Sequence, residues 1–245
     1  MNIIKVETLG STNAFLKQLS KQQVLQEGMV VFTEKQTAGR GQQGTSWESE
    51  PGKNIACSIL LYPDFLPVKQ HFLLSEAVAI GIKSVLDTYI SRVSIKWPND
   101  IYYEEKKIAG ILIENELMGD KFMQSVIGIG LNVNQNTFRH DIPNPVSLKQ
   151  ILGENISVTP LLEAIVESVL TWYEKLKAGE TATISRTYHA SLYQKGFHLY
   201  KDANGQFLAR IDRVSDDGYL HLITFKEEAR SYAFKEVSLL PYSVG

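Results

Sequence analysis

The sequence predicts a chain of the α/β (α+β) class, a body of strands with long flanking helices followed by a small all-β unit. Two segments, around residues 69–90 and 159–179, repeat apolar residues at helical spacing. Between them run strand-length stretches rich in β-branched and aromatic residues, at 92–97, 107–114 and 122–134. From Gly196 onward the texture changes to short strands punctuated by Asn204-Gly205 and Asp217-Gly218, both hairpin-turn signals. The boundary falls near Gln194, dividing the chain into 1–194 and a β-barrel or sandwich at 195–245.

In chain order, Met1 to Glu7 alternates as a strand does, and Ser11-Thr12-Asn13 is an N-cap cluster before a short helix at Ala14–Leu19. Met29 to Thr33 reads as a strand. The first long helix carries Phe72, Leu73, Ala77, Ile80, Val85 and Leu86 on its buried stripe. For the second, Thr159-Pro160 supplies an N-cap and a first-turn proline; Leu162, Ile165, Val166, Val169, Leu170 and Tyr173 mark the stripe, and Gly179 the exit.

Composition narrows the function classes. The 245 residues are 44% hydrophobic and 21% charged with a net charge of −2, ordinary for a globular enzyme. No Lys/Arg run provides a nucleic-acid footprint, and no apolar run reaches membrane-spanning length. The single cysteine, Cys57, sits inside the apolar run Ile55–Leu61 as a small core residue. Intrachain disulfides are therefore excluded, no signal-peptide segment opens the sequence, and a reducing, cytoplasmic setting is expected.

The chemistry concentrates in three places. Gly39-Arg40-Gly41-Gln42-Gln43-Gly44-Thr45-Ser46-Trp47 offers backbone N–H groups, a guanidinium and an indole but almost no apolar surface. Its glycine spacing matches the dinucleotide fingerprint. That motif needs a helix opening at the third glycine, and Thr45 to Gly52 has no helical period and a Pro-Gly break, so a Rossmann site is not expected. Second, in Val126 to Asn134 alternation sets Ile127, Ile129, Leu131 and Val133 on one face and Gly128, Gly130, Asn132 and Asn134 on the other. Two glycines in register admit something close to the sheet, either a ligand or another piece of protein; the asparagines favour a polar ligand.

Third, Pro98 ends the strand Lys96-Trp97 and sets Asn99 and Asp100 on a turn. Lys107 then opens the apolar run Ile108 to Glu114, either snorkelling to water or aiming a cation at a carboxylate or phosphate. The five histidines show no metal-ligand spacing, and no Gly-x-Ser-x-Gly elbow or Walker phosphate loop is present. An Arg, a Lys, an Asp, amides and glycine backbone suit charge stabilisation and positioning, not covalent catalysis by the protein.

In order, Ser11-Thr12-Asn13, Gln36 to Gly41, Gly44 with Trp47, Lys96 to Asp100, Lys107 to Gly110 and Gly128 to Asn132 resemble the biotin–protein ligase family. The resemblance implies a mixed-sheet catalytic domain related to class II tRNA synthetase cores, then a small SH3-like β-barrel. It implies biotin contacts from Ser11, Thr12, Asn13, Gln36, Gly39, Arg40, Gly41, Gln42, Lys107, Gly110, Gly128 and Gly130. Trp47, Asn99 and Asn132 would lie near the nucleotide; Lys107, Arg40 and Asp100 would act at the reacting centre. It further implies ATP with Mg²⁺, biotinyl-5′-AMP as intermediate, and transfer to one lysine of a biotin carboxyl carrier domain of acetyl-CoA carboxylase or a related carboxylase. Pairing of sheet edges into a homodimer also fits the family.

Two departures stand out: Gln42 where the family often has arginine, and Val237 to Leu240 without the arginine many members carry near the final strand. The catalytic part begins near residue 1, so a DNA-binding repressor module is not expected. Lipoate–protein ligases share the core, but their Gly-Gly-Gly and His-Asp segments are missing here; a non-catalytic biotin sensor is the rival from outside the enzymes.

Overall fold

The computed structural model describes residues 2–140 and 143–240. Seven strands, β1 (Ile3–Leu9), β2 (Val30–Gln36), β3 (Ile55–Leu61), β4 (Val93–Lys96), β5 (Asp100–Tyr103), β6 (Lys106–Met118) and β7 (Lys121–Leu131), form one sheet. Their order is β1-β2-β3-β7-β6-β5-β4. β1 and β2 are parallel and every other neighbouring pair is antiparallel, so the sheet is mixed.

Five helices accompany it: α1 (Thr12–Gln22), α2 (Phe72–Leu86), α3 (Leu148–Leu152), α4 (Val158–Lys177) and α5 (Thr181–Ala190). A second, antiparallel sheet follows, from β8 (His198–Asp202), β9 (Gly205–Val214), β10 (Leu220–Thr224), β11 (Ala229–Tyr232) and β12 (Ser238–Leu239), in the order β11-β10-β9-β8-β12. Residues 241–245 of the C-terminal unit expected at 195–245 lie outside the described residues.

Both faces of the large sheet are covered, which explains why β3 reads as an unbroken apolar run: all seven of its residues are buried. One face packs on α2 and α4, with α5 against those helices. There Gly81 lets the helices close, because a Cβ at that position would lie 2.8 Å from Val169 Cα. The other face carries α1, whose Leu16 joins Val31, Leu60 and Val126 in a smaller core. The C-terminal sheet shares the larger core through Tyr200, Ala209, Leu220 and Leu222.

Several boundaries differ from expectation for identifiable reasons. The first long helix runs only from Phe72 to Leu86, because a 3-10 turn at Val68–Gln70 precedes it and the Thr88 hydroxyl takes the Val85 carbonyl at 2.7 Å. Ser157, not Thr159, caps α4, which starts at Val158. Pro160 therefore stands deeper in the first turn, where its missing N–H still costs nothing. Leu170 is only partly buried, while Leu161 and Leu176 join the stripe. Gly179 leaves the helix at φ +81°, as expected of an exit glycine. Asp100 belongs to a strand as well as following a turn: β4 and β5 pair so that Lys96 faces Asp100. α3 and α5 have too short or too polar a period to read from sequence.

Candidate active site

A cavity of about 610 Å³ lies against the large sheet where the N-terminus of α1, the Gly39–Trp47 loop, β5 to β7 and the C-terminal sheet converge. Of the residues given a biotin, nucleotide or catalytic role by the family resemblance, all but Gly39 and Asn132 line it.

The α1 N-terminus supplies one end. Ser11 caps the helix through the Ala14 N–H, 3.5 Å away, which turns Thr12 and Asn13 onto the sheet. The Thr12 N–H donates to Gln36 Oε1 at 3.0 Å. Ser58 Oγ, fully buried on β3, lies 2.7 Å from Thr12 Oγ1 and 2.5 Å from Asn13 Oδ1. Asn13 in turn donates from Nδ2 to Glu114 Oε2 at 2.8 Å.

The glycine loop is a closed hairpin. Gly41 N–H donates to Thr45 O at 2.7 Å and Trp47 N–H to Gly39 O at 3.0 Å, around a 3-10 turn at Gln42–Gly44. Gly39 lies behind the wall, and its Cβ would meet Gln36 Nε2 at 2.7 Å. The missing side chain is therefore needed for loop packing. The turn also shows why the dinucleotide reading fails: no helix follows Gly44 to receive a pyrophosphate.

Trp47 folds back over the bare strip of sheet. A Cβ on Gly130 would lie 2.5 Å from its Nε1, and one on Gly110 would lie 3.0 Å from its Cζ3. Gly128 is filled in the same way by Asn13, whose Oδ1 would sit 2.5 Å from an added Cβ. Both glycines thus admit other pieces of the protein. Trp47 Nε1 is buried without an acceptor among the described residues, a polar atom facing the cavity.

Cations gather opposite. Lys107 Nζ is 2.6 Å from Asp100 Oδ1 and 5.6 Å from the centre of a Trp47 ring. Lys96 Nζ donates to the Tyr102 hydroxyl at 3.1 Å and lies over the Tyr102 and Tyr193 rings. Burial pulls Lys96 below the ordinary lysine range; Asp100 opposes this and Lys107 adds to it. Arg40 reaches Glu114 Oε2 at 3.1 Å, and Lys17 reaches Glu114 Oε1 at 3.3 Å. Burial alone would raise the Glu114 carboxyl, but the Asn13 amide and the Arg40 and Lys17 charges outweigh it and hold it below the usual value. Burial pushes the Cys57 thiol up to about 12, as befits an inert core residue.

The two strand-end asparagines do not meet the cavity. Asn132 Nδ2 donates to Val146 O at 3.1 Å, and Asn134 clasps the Ile156 backbone with both ends of its amide. They fix the segment leaving β7, which corrects the inference that they favour a polar ligand. Asn99 does line the cavity, although its Nδ2 is spent on Ile111 O at 2.7 Å. Sequence reasoning missed Glu114 and Ser58, and it missed the wall made by Tyr193, Tyr200, Phe234, Lys235 and Leu239. Glu114 was within reach: it shares the face of Gly110 by strand alternation.

Residues 6–132 match the biotin/lipoate A/B protein ligase family. The chain belongs to that family. Among its relatives, the bifunctional ligase/repressor BirA of Bacillus subtilis is 30% identical over 229 residues, covering 91% of this chain and 70% of that protein. A biotin–[acetyl-CoA-carboxylase] ligase of Mycobacterium tuberculosis is 30% identical over 175 residues, covering 68% and 64%. The fold matches that of the biotin protein ligase from Aquifex aeolicus, solved in complex with biotin and ATP, at a TM-score of 0.80 and 23% identity over 98% and 99% of the two chains. Within the family the chain is a biotin protein ligase, with that enzyme's mixed α/β architecture.

Proposed function

We propose that this biotin protein ligase joins biotin to ATP as biotinyl-5′-AMP, releasing pyrophosphate, and passes biotin to a lysine of a carboxyl carrier domain of acetyl-CoA carboxylase or a related carboxylase. The observation that carries this reading is the facing of Lys107 and the Trp47 indole across glycine-bared sheet, in a cavity large enough for a vitamin beside a nucleotide. The relatives' names support the acceptor class.

In the first step the biotin carboxylate attacks the α-phosphorus, so two anions must be brought together. Lys107 binds the carboxylate and α-phosphate oxygens, exchanging its contact with Asp100 for them; Arg40 and the Gly39–Gly44 backbone close over them. Ser11, Thr12, Asn13 and Gln36 offer the polar end that orients the vitamin's ring head. The indole of Trp47 takes the adenine side, with Asn99 beside it. In the second step Asp100 orients the acceptor amine and takes its proton.

Mg²⁺ would come as the nucleotide's companion, held mainly by ATP and water; no group of three metal-ligating side chains occurs among the described residues, and Asp100 is paired to Lys107. It would neutralise polyphosphate charge. The C-terminal sheet serves as an SH3-like unit beginning near residue 195 that completes the wall of the site.

The reading is tested by mixing the protein with biotin, MgATP and a carrier domain and blotting with labelled streptavidin. Labelling that depends on biotin, ATP and the acceptor lysine is expected; an unlabelled carrier domain would refute it.

A further inference from the structure

Lys96 has no part in the chemistry above, yet it stands in the cavity wall beside the proposed proton acceptor. It ends β4, and its cross-strand partner is Asp100. Tyr102, on the same face of β5 as Asp100, pairs in register with Lys107. The Lys96 ammonium is held by the Tyr102 hydroxyl at 3.1 Å and lies 4.7 Å from that ring's centre and 5.9 Å from that of Tyr193. Lys107 Nζ approaches Asp100 from β6 at 2.6 Å. The titratable groups around Lys96 are thus Asp100 and Tyr102 from β5, Lys107 from β6 and Tyr193 after α5. Lys235, in the turn between β11 and β12, lines the same cavity.

The sign of the local charge turns on Lys96. Asp100 alone would stabilise an incoming ammonium and hinder its deprotonation. With the adenylate bound, Lys107 is turned to its phosphate and those two charges cancel; Lys96, paired across the strands with Asp100, then offsets that carboxylate's hold on the incoming ammonium. An amine entering such a site loses its proton more readily, as lysines beside other cations do.

We propose that Lys96, set across the strands from Asp100, lowers the pKa of the acceptor lysine as it enters the site, so that the amine reaches the acyl-adenylate uncharged. This rests on the biotin-transfer reading above. The acceptor ammonium gives its first proton to Asp100, which passes it to water. The Nζ lone pair then attacks the acyl carbon, the bond from that carbon to the phosphate oxygen breaks, and AMP leaves with the bonding pair. The nitrogen sheds its second proton to give the amide. A free lysine has a pKa near 10.4, so each unit of lowering raises the reactive fraction about tenfold at neutral pH.

The test is single-turnover transfer from supplied biotinyl-5′-AMP to a carrier domain between about pH 6 and 9.5, where an essential base shows itself in the profile. Lys96→Met should raise the apparent pKa of transfer by roughly one unit, slowing it about tenfold at neutral pH and converging on wild type in alkali. Lys96→Arg, which keeps the charge, should retain the wild-type profile. Lys96→Gln gives the same reading as Met and keeps a polar end towards Tyr102 should Met fail to fold. A profile with an unmoved midpoint, including uniform slowing at every pH, would overturn the proposal. Because the adenylate is supplied, this outcome is distinct from failure of the wild-type protein to make it from biotin and MgATP, which would count against the parent reading.

Discussion

Trp47 occupies the space that a side chain at Gly130 would need: an added Cβ there would lie 2.7 Å from the indole Cζ2 and 2.5 Å from Nε1. Gly130→Ala should push the indole off the sheet while leaving the buried face of β7 untouched. We expect affinity for biotin plus nucleotide to fall at least about tenfold, roughly 1.4 kcal/mol, with the melting temperature little changed. Calorimetric titration with unaltered affinity would show that the indole's seat does not matter for binding.

Lys107 is the cation placed closest to Asp100, and the proposed adenylation step depends on it. Positioned charge is worth several kcal/mol, so Lys107→Ala should slow pyrophosphate release by roughly a hundredfold or more. Near-wild-type release would remove this residue from the first step.

Glu114 ties the glycine loop to α1 through Arg40, Lys17 and Asn13. Its carboxyl is held below the usual range, so the tie is complete above the ordinary carboxylate pKa and fails as pH falls through the lowered value. Glu114→Gln should loosen the loop at neutral pH. We expect trypsin to cut after Arg40 faster in this variant than in wild type without ligand, and biotin with ATP to protect both. Equal cutting with and without ligand would argue against a closing loop.

Glu76, 1% exposed between α2 and α5, accepts from Ser185 Oγ at 2.9 Å, and burial, helped by Asp216, raises it to about 7. The unfolded chain releases this proton near 4.5 while the folded one keeps it, so stability falls as pH rises from about 4.5 to 7 and is level above that. Glu76→Gln should melt several degrees higher than wild type at pH 8, with the gap closing towards pH 5. A constant gap across that range would contradict the assignment.

How much was legible depended on whether a signal was periodic. The faces of β7 follow from alternation alone, and Ile127, Ile129, Leu131 and Val133 are all buried. The same alternation could not tell that Asn132 and Asn134 leave the ladder to bind Val146 and Ile156, because those partners are distant in the chain. Lys96 stood within a recognised motif, yet its place opposite Asp100 needed the register of β4 and β5. The residues contributed by the C-terminal unit, such as Phe234 and Lys235 in the turn between β11 and β12, carry no local mark, since only tertiary packing brings them to the cavity.

That last wall has a consequence for biosynthesis. Ser11 leaves the ribosome more than two hundred residues before Leu239, yet both border the same cavity. A nascent chain stalled after β7 would already hold Trp47 and Asn13 over the glycines, but its cations would lack the opposing surface that Tyr200, Phe234 and Leu239 add. The cavity wall is therefore complete only once β12 has emerged and docked.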